Sequence, residues 1–440
     1  MGLKNFRYYG FYLMDAINGF KIKSHIKEIA NIQENFTSEE SQKKQKNNLT
    51  NLFFHASNDT LFYSDYKNLK LEEFPVINKN IIRNNFQLFE SKKYKNKKKY
   101  KVSSSGSTGV SILVYQNRNK KARNNADNIY FSRLTGFEVG NKLIYIRIWW
   151  YKISYLQMWF KNIIPIDVLR FNDTNYISSL MDKLSQISSN IYMIGYASAF
   201  EKICVYLEQH KLKSNILPNA KSAIAISESL NNYTKQKMKY YFNISVFSRY
   251  SNSENGIIAQ QIPGSENDFV INWASYYVEI LKFDEDKPVE KGEIGRIVVT
   301  DLFNYCFPII RYDTGDVGSL NDSVSPPTFQ RIEGRKADII LNTKGEIVPS
   351  LIIVRPHLSK GVIQSQLIQE DSKAYVLKLQ VTSDFNDALT LIQEFKSILG
   401  NDANIKIKYI NEIPPLASGK TRATINNYLA KTSNSPLNKK

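Results

Sequence analysis

The sequence predicts an α/β protein with a large N-terminal domain of parallel sheets flanked by helices, a β-rich subdomain, and a small α/β C-terminal domain. Three observations support this prediction. Strand and helix patterns alternate between residues 111 and 226, as in parallel sheets that are covered by helices. After about residue 268, apolar strand patterns follow one another with turns between them. The last hundred residues contain a separate strand, helix and strand pattern.

The first part of the chain, residues 1–100, reads as a mostly helical leader with a polar, loop-like insert, ENFTSEESQKKQKNN. The alternating region follows it, and Gly136 is expected to end the first helix there because glycine is common just after helix C-termini. The segments of this region are, in order, the strand SILVYQN, the helix KKARNNADNIYFSRLTG, the strand NKLIYIRIW, the helix DTNYISSLMDKLSQI, the strand IYMIGY, the helix ASAFEKICVYLEQHK and the strand SAIAIS.

The second half of the chain is expected to change from parallel to antiparallel pairing. Three segments read as strands separated by turns, namely FVINWASYYVEILKF, GEIGRIVVTDL and FQRIEGR. The C-terminal unit reads as the strand YVLKLQVT, the helix DALTLIQEFKSIL and the strand NIKIKYI. We therefore divide the chain into an N-terminal domain (1–334), a small C-terminal domain (335–430) and a tail (431–440).

The composition is that of a basic globular protein. The chain of 440 residues has a formal net charge of +18, and 42% of its residues are hydrophobic. This length is enough for two or three domains with real cores. A basic surface favours acidic partners: nucleic acid, anionic lipid, an acidic carrier protein or a phosphorylated small molecule. We expect no nucleic-acid partner, because the sequence contains no recognised nucleic-acid-binding module.

Cysteine usage and the apolar segments predict a cytoplasmic protein without a transmembrane segment. Cys204 and Cys306 form no CxxC pair, which favours a reducing compartment, and no secretion signal is visible. The most apolar stretch, residues 143–160, is interrupted by two charged residues and a glutamine. We interpret it as a core strand followed by a packed helix. A pocket wall and a contact with a membrane surface are the alternatives.

The segment SSSGSTG, residues 103–109, follows a lysine-dense run and precedes a strand. Glycine lets a ligand approach the main chain closely, and free N–H groups and hydroxyls favour phosphate oxygens. A phosphate-binding loop and a flexible linker both fit this composition. The segment lacks the GK[ST] of a Walker loop. The preceding lysines are either a solvated face or a means of attracting a polyanionic nucleotide.

Three further clusters carry side chains suited to nucleotide chemistry. IIRYDTGDVG is expected to be a turn in which Asp316 accepts hydrogen bonds from two ribose hydroxyls, or an ordinary Asx-type turn. In RYSNSENG, Tyr250 could stack on a base and Glu254 could hold Mg²⁺, and an ordinary polar loop is the alternative. PPLASGKTR presents Lys420, which is either a catalytic lysine or a surface lysine.

Together and in this order, the segments SSSGSTG, ISESL, RYSNSENG, RYDTGD, EGRKAD and PPLASGK resemble motifs of the adenylate-forming, or AMP-binding, enzyme superfamily. Within it the chain is most similar to phenylacetate–coenzyme A ligases and their capsular-polysaccharide-biosynthesis (CapK-like) relatives. FPVINKNIIRNNF and IGYASA also resemble segments of that branch. The resemblance covers nearly the whole chain. It implies that the small C-terminal domain is mobile and rotates between two half-reactions.

The resemblance implies how the chain would bind the phosphates and the base of ATP. Tyr250 would stack on the adenine, and Thr108 of the phosphate loop would also act in catalysis. Two backbone segments would complete this part of the site: Ser105, Gly106, Ser107, Thr108 and Gly109 around the phosphates, and Ser227, Glu228 and Ser229 against the adenine.

The remaining roles implied by the resemblance concern the α-phosphate, the metal and the ribose. Ser253 would face the α-phosphate, and Glu254 would bind Mg²⁺ and act in catalysis. Asp316 would hold the ribose hydroxyls, and Arg335 would lie on the ribose or phosphate side. Lys420 would be the catalytic lysine that reaches the α-phosphate and the attacking carboxylate.

The implied activity is ATP-dependent activation of a carboxylic acid to an acyl-adenylate with release of pyrophosphate. The acyl group would then pass to CoA, an acyl carrier protein or a sugar acceptor, and one version of this role is capsular or surface polysaccharide biosynthesis. ATP and Mg²⁺ would be required, and CoA is a candidate cosubstrate. The oligomeric state is left open, with a homodimer as one alternative. Four aromatic residues are candidates either for the acyl pocket or for simple core packing: Tyr130, Trp149, Trp150 and Tyr196.

Several positions depart from the pattern of the family. Ser251 replaces the usual glycine after the stacking tyrosine, and Val110 follows the phosphate loop where a lysine is frequent. Ala337 lies at the expected hinge, where Asp or Lys is commoner, so it bears on the domain rotation. VINWASYYVEI also lacks the histidine that is common in this branch. These departures raise a second hypothesis, a catalytically reduced nucleotide-binding scaffold of the same fold.

Overall fold

The fold is given by a computed structural model, which describes residues 3–103, 112–149, 154–212, 214–335, 340–348, 361–411, 413 and 424–429. Contacts within the chain divide it into two units. The larger unit consists of Met1–Thr314 and Gly318–Arg331, and the smaller unit of Gly315–Val317 and Ile332–Lys440.

The N-terminal part of the larger unit is helical. Its helices are α1 (Leu3–Ile17), α2 (Lys21–Glu34), α3 (Glu39–Asp59), α4 (Lys79–Asn84) and α5 (Phe86–Phe89). The Asp15 carboxylate accepts hydrogen bonds of 2.9 Å from the backbone N–H groups of Ile22 and Lys23. The Ser38 hydroxyl accepts one from the N–H of Ser41. These bonds satisfy N–H groups that have no partner within the first turns of α2 and α3.

The strands that precede residue 336 form a hairpin and one large sheet. In chain order they are β1 (Tyr100–Ser103), β2 (Leu113–Gln116), β3 (Lys142–Arg147), β4 (Ile163–Asp167), β5 (Ile191–Tyr196), β6 (Ala220–Ile226), β7 (Val246–Asn252), β8 (Gly256–Ile262), β9 (Ser265–Ile271), β10 (Tyr276–Leu281), β11 (Gly295–Asp301), β12 (Tyr312–Asn321) and β13 (Thr328–Arg335). β1 and β2 pair antiparallel. The other eleven form a sheet with the order β10-β11-β12-β13-β9-β8-β7-β6-β5-β3-β4.

The sheet has a parallel half and an antiparallel half. The strands from β7 to β4 in this order pair in parallel, whereas β7–β8, β8–β9 and β10–β11 are antiparallel pairs. β5 is buried over almost its whole length, as expected for a strand with helices on both faces. Gly195 lets β5 and β3 pack closely, since a Cβ at this position would lie 2.9 Å from the Cβ of Ile146.

Helices alternate with the strands of this part of the chain. They are α6 (Arg118–Arg133), α7 (Tyr155–Lys161), α8 (Thr174–Ser185), α9 (Ala197–Gln209) and α10 (Asn232–Phe242). Leu180 of α8, Phe200 of α9 and Met238 of α10 form one buried cluster with Met193 of β5. Gly136, with φ +87°, lies three residues beyond the end of α6.

The smaller unit is an α/β unit of its own. Its strands are β14 (Ile340–Leu341), β15 (Ile347–Val348), β16 (Val362–Gln369), β17 (Ala374–Val381), β18 (Asn404–Tyr409) and β19 (Thr424–Asn426), and its helix is α11 (Ala388–Leu399). Four strands form a sheet with the order β18-β17-β16-β19, and β14 pairs with β15. Leu391 and Phe395 of α11 are buried against Tyr375 and Leu377 of β17. The predicted fold class is confirmed.

One packing prediction is wrong. Residues 143–160 begin with a buried strand, as expected, but the helix that follows, α7, has no buried residue. Tyr155 and Leu156 are 81% and 73% exposed. Phe160 and Trp159 make the described contacts of α7 with α1. These contacts do not cover Tyr155 and Leu156, which therefore stay in solvent. Within the described residues, no helix has both the length and the apolar character that crossing a membrane requires.

Candidate nucleotide site

The carboxyl ends of β6 and β7 lie side by side. These strands are parallel, and their register pairs Ile226 with Arg249. Ser227 and Tyr250 are the next residues of the two segments, so the register places them at the same edge of the sheet. The crevice outside the carboxyl ends of parallel strands is where open α/β sheets bind ligands. Two segments chosen from the sequence, ISESL and RYSNSENG, therefore meet at a suitable edge.

The segment after β6 is fixed to the start of α9. Ser227 has a φ of +73°, in the left-handed region, so the chain changes direction directly after the strand. The Glu228 Oε2 atom accepts a 2.8 Å hydrogen bond from the N–H of Ser198 in the first turn of α9. Ser227 and Ser229 are exposed. The Glu228 side chain thus holds the segment in place, which is a structural role.

Tyr250 is anchored by its own strand and by β12. The preceding residue, Arg249, is buried and donates a 2.6 Å hydrogen bond to Gln260. Desolvation by burial lowers the pKa of Arg249 to about 10. The Tyr250 hydroxyl donates to the Oγ1 of Thr314 at 3.3 Å, and the ring meets Phe329 edge-on with 6.0 Å between centroids. The half-buried ring is therefore held in a defined position.

Glu254 lies in the turn between β7 and β8 and is 2% exposed. Its Oε1 atom accepts a 3.1 Å hydrogen bond from the Tyr312 hydroxyl and lies 3.5 Å from the Nζ of Lys79. Its backbone carbonyl accepts a hydrogen bond from the Gln116 side chain at 3.3 Å. The neighbouring Ser253 is exposed. The structure thus brings together a buried carboxylate, a phenol and an ammonium group.

Lys79 reaches Glu254 because of a backbone connection that the sequence analysis missed. The N–H of Ile77 donates to the carbonyl of Arg311 at 2.9 Å, and the N–H of Asp313 donates to the carbonyl of Ile77 at 2.8 Å. Ile77 is thereby bridged to Tyr312, and Lys79 follows two residues later as the first residue of α4. The segment FPVINKNIIRNNF was noted for its resemblance alone. Its lysine after a short apolar run is the signal from which a role at the site could have been predicted.

The segment RYDTGD is a strand, and the prediction of a turn is wrong. Its residues from Tyr312 onward begin β12, and several of its side chains have partners in the surrounding structure. Arg311 is buried against Glu279 with 2.9 Å between Nη2 and Oε1, and Asp313 pairs with Arg296 at 2.9 Å. The Thr314 hydroxyl donates to a backbone carbonyl of β11. These contacts hold the segment in the sheet, and Gly315 has a φ of +80° within the strand.

Arg311 and Asp316, the first and last charged residues of this segment, lie in different environments. Burial raises the pKa of Glu279, the partner of Arg311, against the opposing effect of the guanidinium. Arg311 also donates to the carbonyls of Glu72 and Phe74, so its role is structural. Asp316, the proposed ribose ligand, is half-buried in β12.

Part of the predicted site lies outside the described residues. This applies to Lys420, to Ala337 at the expected hinge, to Trp150, and to the phosphate loop with the residue after it: Ser105, Gly106, Ser107, Thr108, Gly109 and Val110. The strands on either side of the loop are described, and Ser103 pairs with Leu113, so the two ends of the loop are adjacent. Arg335 is the last residue of β13.

The lysine run before the phosphate loop is largely exposed. Lys93 pairs with Asp59 at 2.8 Å, and Lys99 pairs with Glu90. Most of its other lysines lie in solvent. The structure is therefore consistent with a solvated positive face next to the loop.

The candidate pocket aromatics are mostly core residues. Tyr130 and Tyr196 are 9% and 8% exposed, and each belongs to a buried hydrophobic cluster. Burial raises the pKa of Tyr130 to about 12. The Trp149 indole donates a 3.1 Å hydrogen bond to the carbonyl of Ile166. These contacts support the packing interpretation for the three residues that the structure describes.

The chemistry of Glu254 fits a magnesium ligand. Carboxylate oxygens suit Mg²⁺, which in nucleotide enzymes takes one or two carboxylates together with phosphate oxygens and water. Both polar atoms of the neighbouring Asn255 amide are buried and have no hydrogen-bond partner among the described residues. No group of three or more His, Cys, Asp and Glu side chains suited to a metal occurs in the described part of the chain.

Sequence comparison relates the chain to Protein CapK. Residues 340–427 match the family described as the CapK C-terminal domain. The chain is 26% identical over 376 residues to Protein CapK of Staphylococcus aureus, an alignment that covers 81% of this chain and 80% of that protein.

Structural comparison relates the chain to ligases that form acyl-adenylates. It is similar to 2-hydroxyisobutyryl-CoA ligase in the postadenylation state with 2-HIB-AMP, with a TM-score of 0.68, 14% identity and coverage of 90% and 91% of the two chains. It is also similar to ATP-bound MatB from Rhodopseudomonas palustris, with a TM-score of 0.53, 15% identity and coverage of 77% and 68%. The recognition is confirmed: the chain has the fold of adenylate-forming ligases, and its residues 340–427 match the CapK C-terminal domain.

Proposed function

We propose that the protein uses ATP to activate a carboxylic acid as an acyl-adenylate, releasing pyrophosphate, and then transfers the acyl group to CoA or another acceptor. The observation that carries this proposal is the position of Tyr250 and Glu254. The β7–β8 hairpin presents a held aromatic ring on β7 and, four residues later in its turn, a buried carboxylate, at the carboxyl edge of the parallel strands. A base and a metal–phosphate group are the two ends of a nucleotide that such a pair would bind.

The proposed reaction is an in-line displacement at phosphorus. A carboxylate oxygen forms a bond to the α-phosphorus, and the bond from that phosphorus to the oxygen bridging to the β-phosphorus breaks. Pyrophosphate leaves with the electron pair, so no oxidant or reductant is needed. Two anions must approach each other in this step, and fixed positive charge is required to stabilise the transition state. Lys420 would supply part of that charge, as the resemblance implies.

The described residues would orient the nucleotide. Tyr250 would stack on the adenine beside the 227–229 segment, and Asp316 would hold the ribose hydroxyls. When bound, Mg²⁺ would neutralise charge on the phosphate oxygens. Glu254 would hold the ion. Before a nucleotide binds, Lys79 supplies the positive charge beside this carboxylate, at 3.5 Å.

The acceptor and the biological role are proposed from the comparisons with known proteins. The likeness to Protein CapK supports a role in capsular or surface polysaccharide biosynthesis, in which a sugar could receive the acyl group. The ligase likenesses support CoA, because the structures of 2-hydroxyisobutyryl-CoA ligase include one with 2-HIB-AMP and CoA. Acid-dependent pyrophosphate exchange tests adenylation against a panel of aryl, fatty, hydroxy and amino acids. Omitting and adding CoA, with product analysis, then separates the acceptors.

Replacing Lys420 with alanine is expected to abolish acid-dependent exchange of labelled pyrophosphate into ATP. The reason is that the variant loses the positive charge which would lie between the carboxylate and the α-phosphate, and such a group is worth roughly a hundredfold or more in rate. Lys406→Ala, which removes an exposed lysine of β18, is the matched control and should retain full exchange. Undiminished exchange by the Lys420 variant would refute the role of this lysine.

Replacing Tyr250 with alanine is expected to weaken ATP binding by roughly tenfold, since stacking of a base on an aromatic ring is worth about 1–3 kcal/mol. Tyr250→Phe keeps the ring and removes the hydroxyl that donates to Thr314, so it should bind ATP nearly as well as the unaltered protein. Isothermal titration calorimetry with ATP measures both affinities. If phenylalanine and alanine weakened binding equally, the ring would not be the stacking surface.

A further inference from the structure

The outer face of α1 is an exposed apolar stripe. Four residues spaced three and four apart project from it into solvent: Phe6, Tyr9, Leu13 and Ile17, which are 55%, 56%, 64% and 73% exposed. This spacing keeps them on one side of a helix. The opposite side faces the protein, since Asp15 is buried and the Tyr12 hydroxyl accepts a hydrogen bond from Arg133. The stripe is therefore not needed to hold α1 in place.

Helix α7 extends the stripe into a wider surface. A Cβ at Gly10 of α1 would lie 3.2 Å from the ring of Phe160, and the Arg7 guanidinium lies 5.1 Å from the Trp159 ring centroid. These contacts place α7 beside α1. Tyr155, Leu156 and the partly exposed Trp159 then add apolar area next to the α1 stripe. We call these seven exposed side chains, four from α1 and three from α7, the apolar face.

The exposed charges of the two chain segments that carry the apolar face are positive. Among residues 3–27 the single acidic residue is Asp15, and its carboxylate is buried on the backbone of α2. Residues 139–166 contain no acidic residue at all. The exposed charges of these two segments within the described residues are all lysines, namely Lys4, Lys21, Lys23, Lys27 and Lys161.

We propose that the apolar face is a docking surface for an anionic lipid membrane. An amphipathic helix with aromatic and aliphatic residues on one face and lysines at its borders binds the interface of a bilayer. The apolar side chains enter the boundary of the acyl chains while the lysines contact phosphate headgroups. Each lysine near an anionic surface adds attraction that salt screens. The protein would bind reversibly and peripherally, with α1 lying in the plane of the interface.

The charges argue against a second copy of the chain as the occupant. Two such faces brought together would place five lysines opposite five lysines with no exposed acidic residue of these segments between them. Like charges across an interface disfavour association. An anionic lipid surface supplies the missing negative charge along with an apolar phase. Both features of the face are satisfied by one partner.

Cosedimentation of the full chain with lipid vesicles tests the proposal. The protein is expected to pellet with vesicles of phosphatidylcholine containing phosphatidylglycerol and to remain in the supernatant with phosphatidylcholine alone. Raising the salt concentration should weaken the binding. The double variant Leu13→Glu/Ile17→Glu should reduce the affinity by about tenfold or more, because charge would enter the apolar phase. Its thermal unfolding and its activity in solution should be unchanged, since both side chains are exposed.

Matched controls separate this surface from general stickiness. Leu389→Glu changes an exposed leucine of α11 and should bind vesicles like the unaltered protein. Lys21→Gln/Lys23→Gln should weaken binding to the anionic vesicles, whereas Lys406→Gln/Lys408→Gln, which removes the same charge elsewhere, should have less effect. Equal vesicle binding by the Leu13/Ile17 variant overturns the proposal. The proposal is also overturned if sedimentation velocity in the absence of lipid shows a dimer of the unaltered protein and the Leu13/Ile17 variant dissociates it.

Discussion

Replacing Glu254 with glutamine is expected to lower acid-dependent pyrophosphate exchange by about a hundredfold or more, because the variant loses the charge that would hold the metal on the phosphates. Glutamine is nearly isosteric and can still accept the hydrogen bond from Tyr312. The side chain is 2% exposed, so a change that keeps its shape and one of its hydrogen bonds should preserve the fold. Exchange assays at saturating ATP and acid measure the effect.

Two further measurements distinguish a functional loss at Glu254 from a structural one. Glu394→Gln makes the same chemical change at an exposed position of α11 and should leave exchange unaltered. Raising the magnesium concentration should partly rescue Glu254→Gln if metal binding has been weakened. Full activity in a well-folded Glu254→Gln protein would exclude this carboxylate as the metal ligand.

Replacing Asp301 with asparagine is expected to lower the free energy of unfolding by about 3–5 kcal/mol, the usual cost of leaving a buried charge without its partner. Asp301 and Lys120 are both fully buried, with 2.6 Å between the Nζ and Oδ2 atoms. The ammonium group also lies over the ring of Tyr276, 4.8 Å from its centroid. Urea denaturation measures the change.

A double variant shows whether the uncompensated charge is the cause. Lys120→Met/Asp301→Asn removes both charges and should be more stable than Asp301→Asn alone. Glu285→Gln breaks an exposed ion pair with Lys287 whose N–O distance is similar. It should not measurably change the free energy of unfolding. If the double variant were less stable than the single one, the charge argument for this pair would be wrong.

The parallel pairing predicted for SILVYQN is wrong, because this strand, β2, pairs antiparallel with β1, and β4 was not predicted. The strands β3, β5 and β6 of the parallel half were predicted, for a physical reason. Strands such as β5 are buried on both faces, so they read as uninterrupted apolar runs between turn residues. The helix α6 was also predicted. The burial of its charged residues was not predicted, because the polar segment KKARNNADN has the composition of a solvent-facing helix. Arg123, for example, is buried, and it donates to Ser275 at 2.7 Å and pairs with Glu28 at 3.0 Å. Such pairs join residues that are distant in sequence, so composition alone does not reveal them.

In the candidate site, too, the residues that are close in sequence were predicted and those that are distant in sequence were not. Tyr250 and Glu254 are close in sequence, and the chemistry of their side chains suggested both of them. Lys79 and Tyr312 were given no role, because their contact with Glu254 depends on the backbone bridge between Ile77 and Tyr312. RYDTGD was read as a turn from its glycine and aspartates, and it is a strand because neighbouring strands and side chains hold it. The local sequence thus indicates which side chains could act on a nucleotide, whereas contacts between distant segments decide which of these side chains lie together.

The most direct test of the proposed chemistry follows oxygen atoms from the acid. A substrate acid labelled with a heavy oxygen isotope in its carboxylate is incubated with ATP, the protein and the acceptor, and the products are analysed by mass spectrometry. Attack of the carboxylate on the α-phosphorus predicts one labelled oxygen in AMP and none in pyrophosphate. Label in orthophosphate together with ADP would instead show attack at the γ-phosphorus, and would contradict adenylate formation.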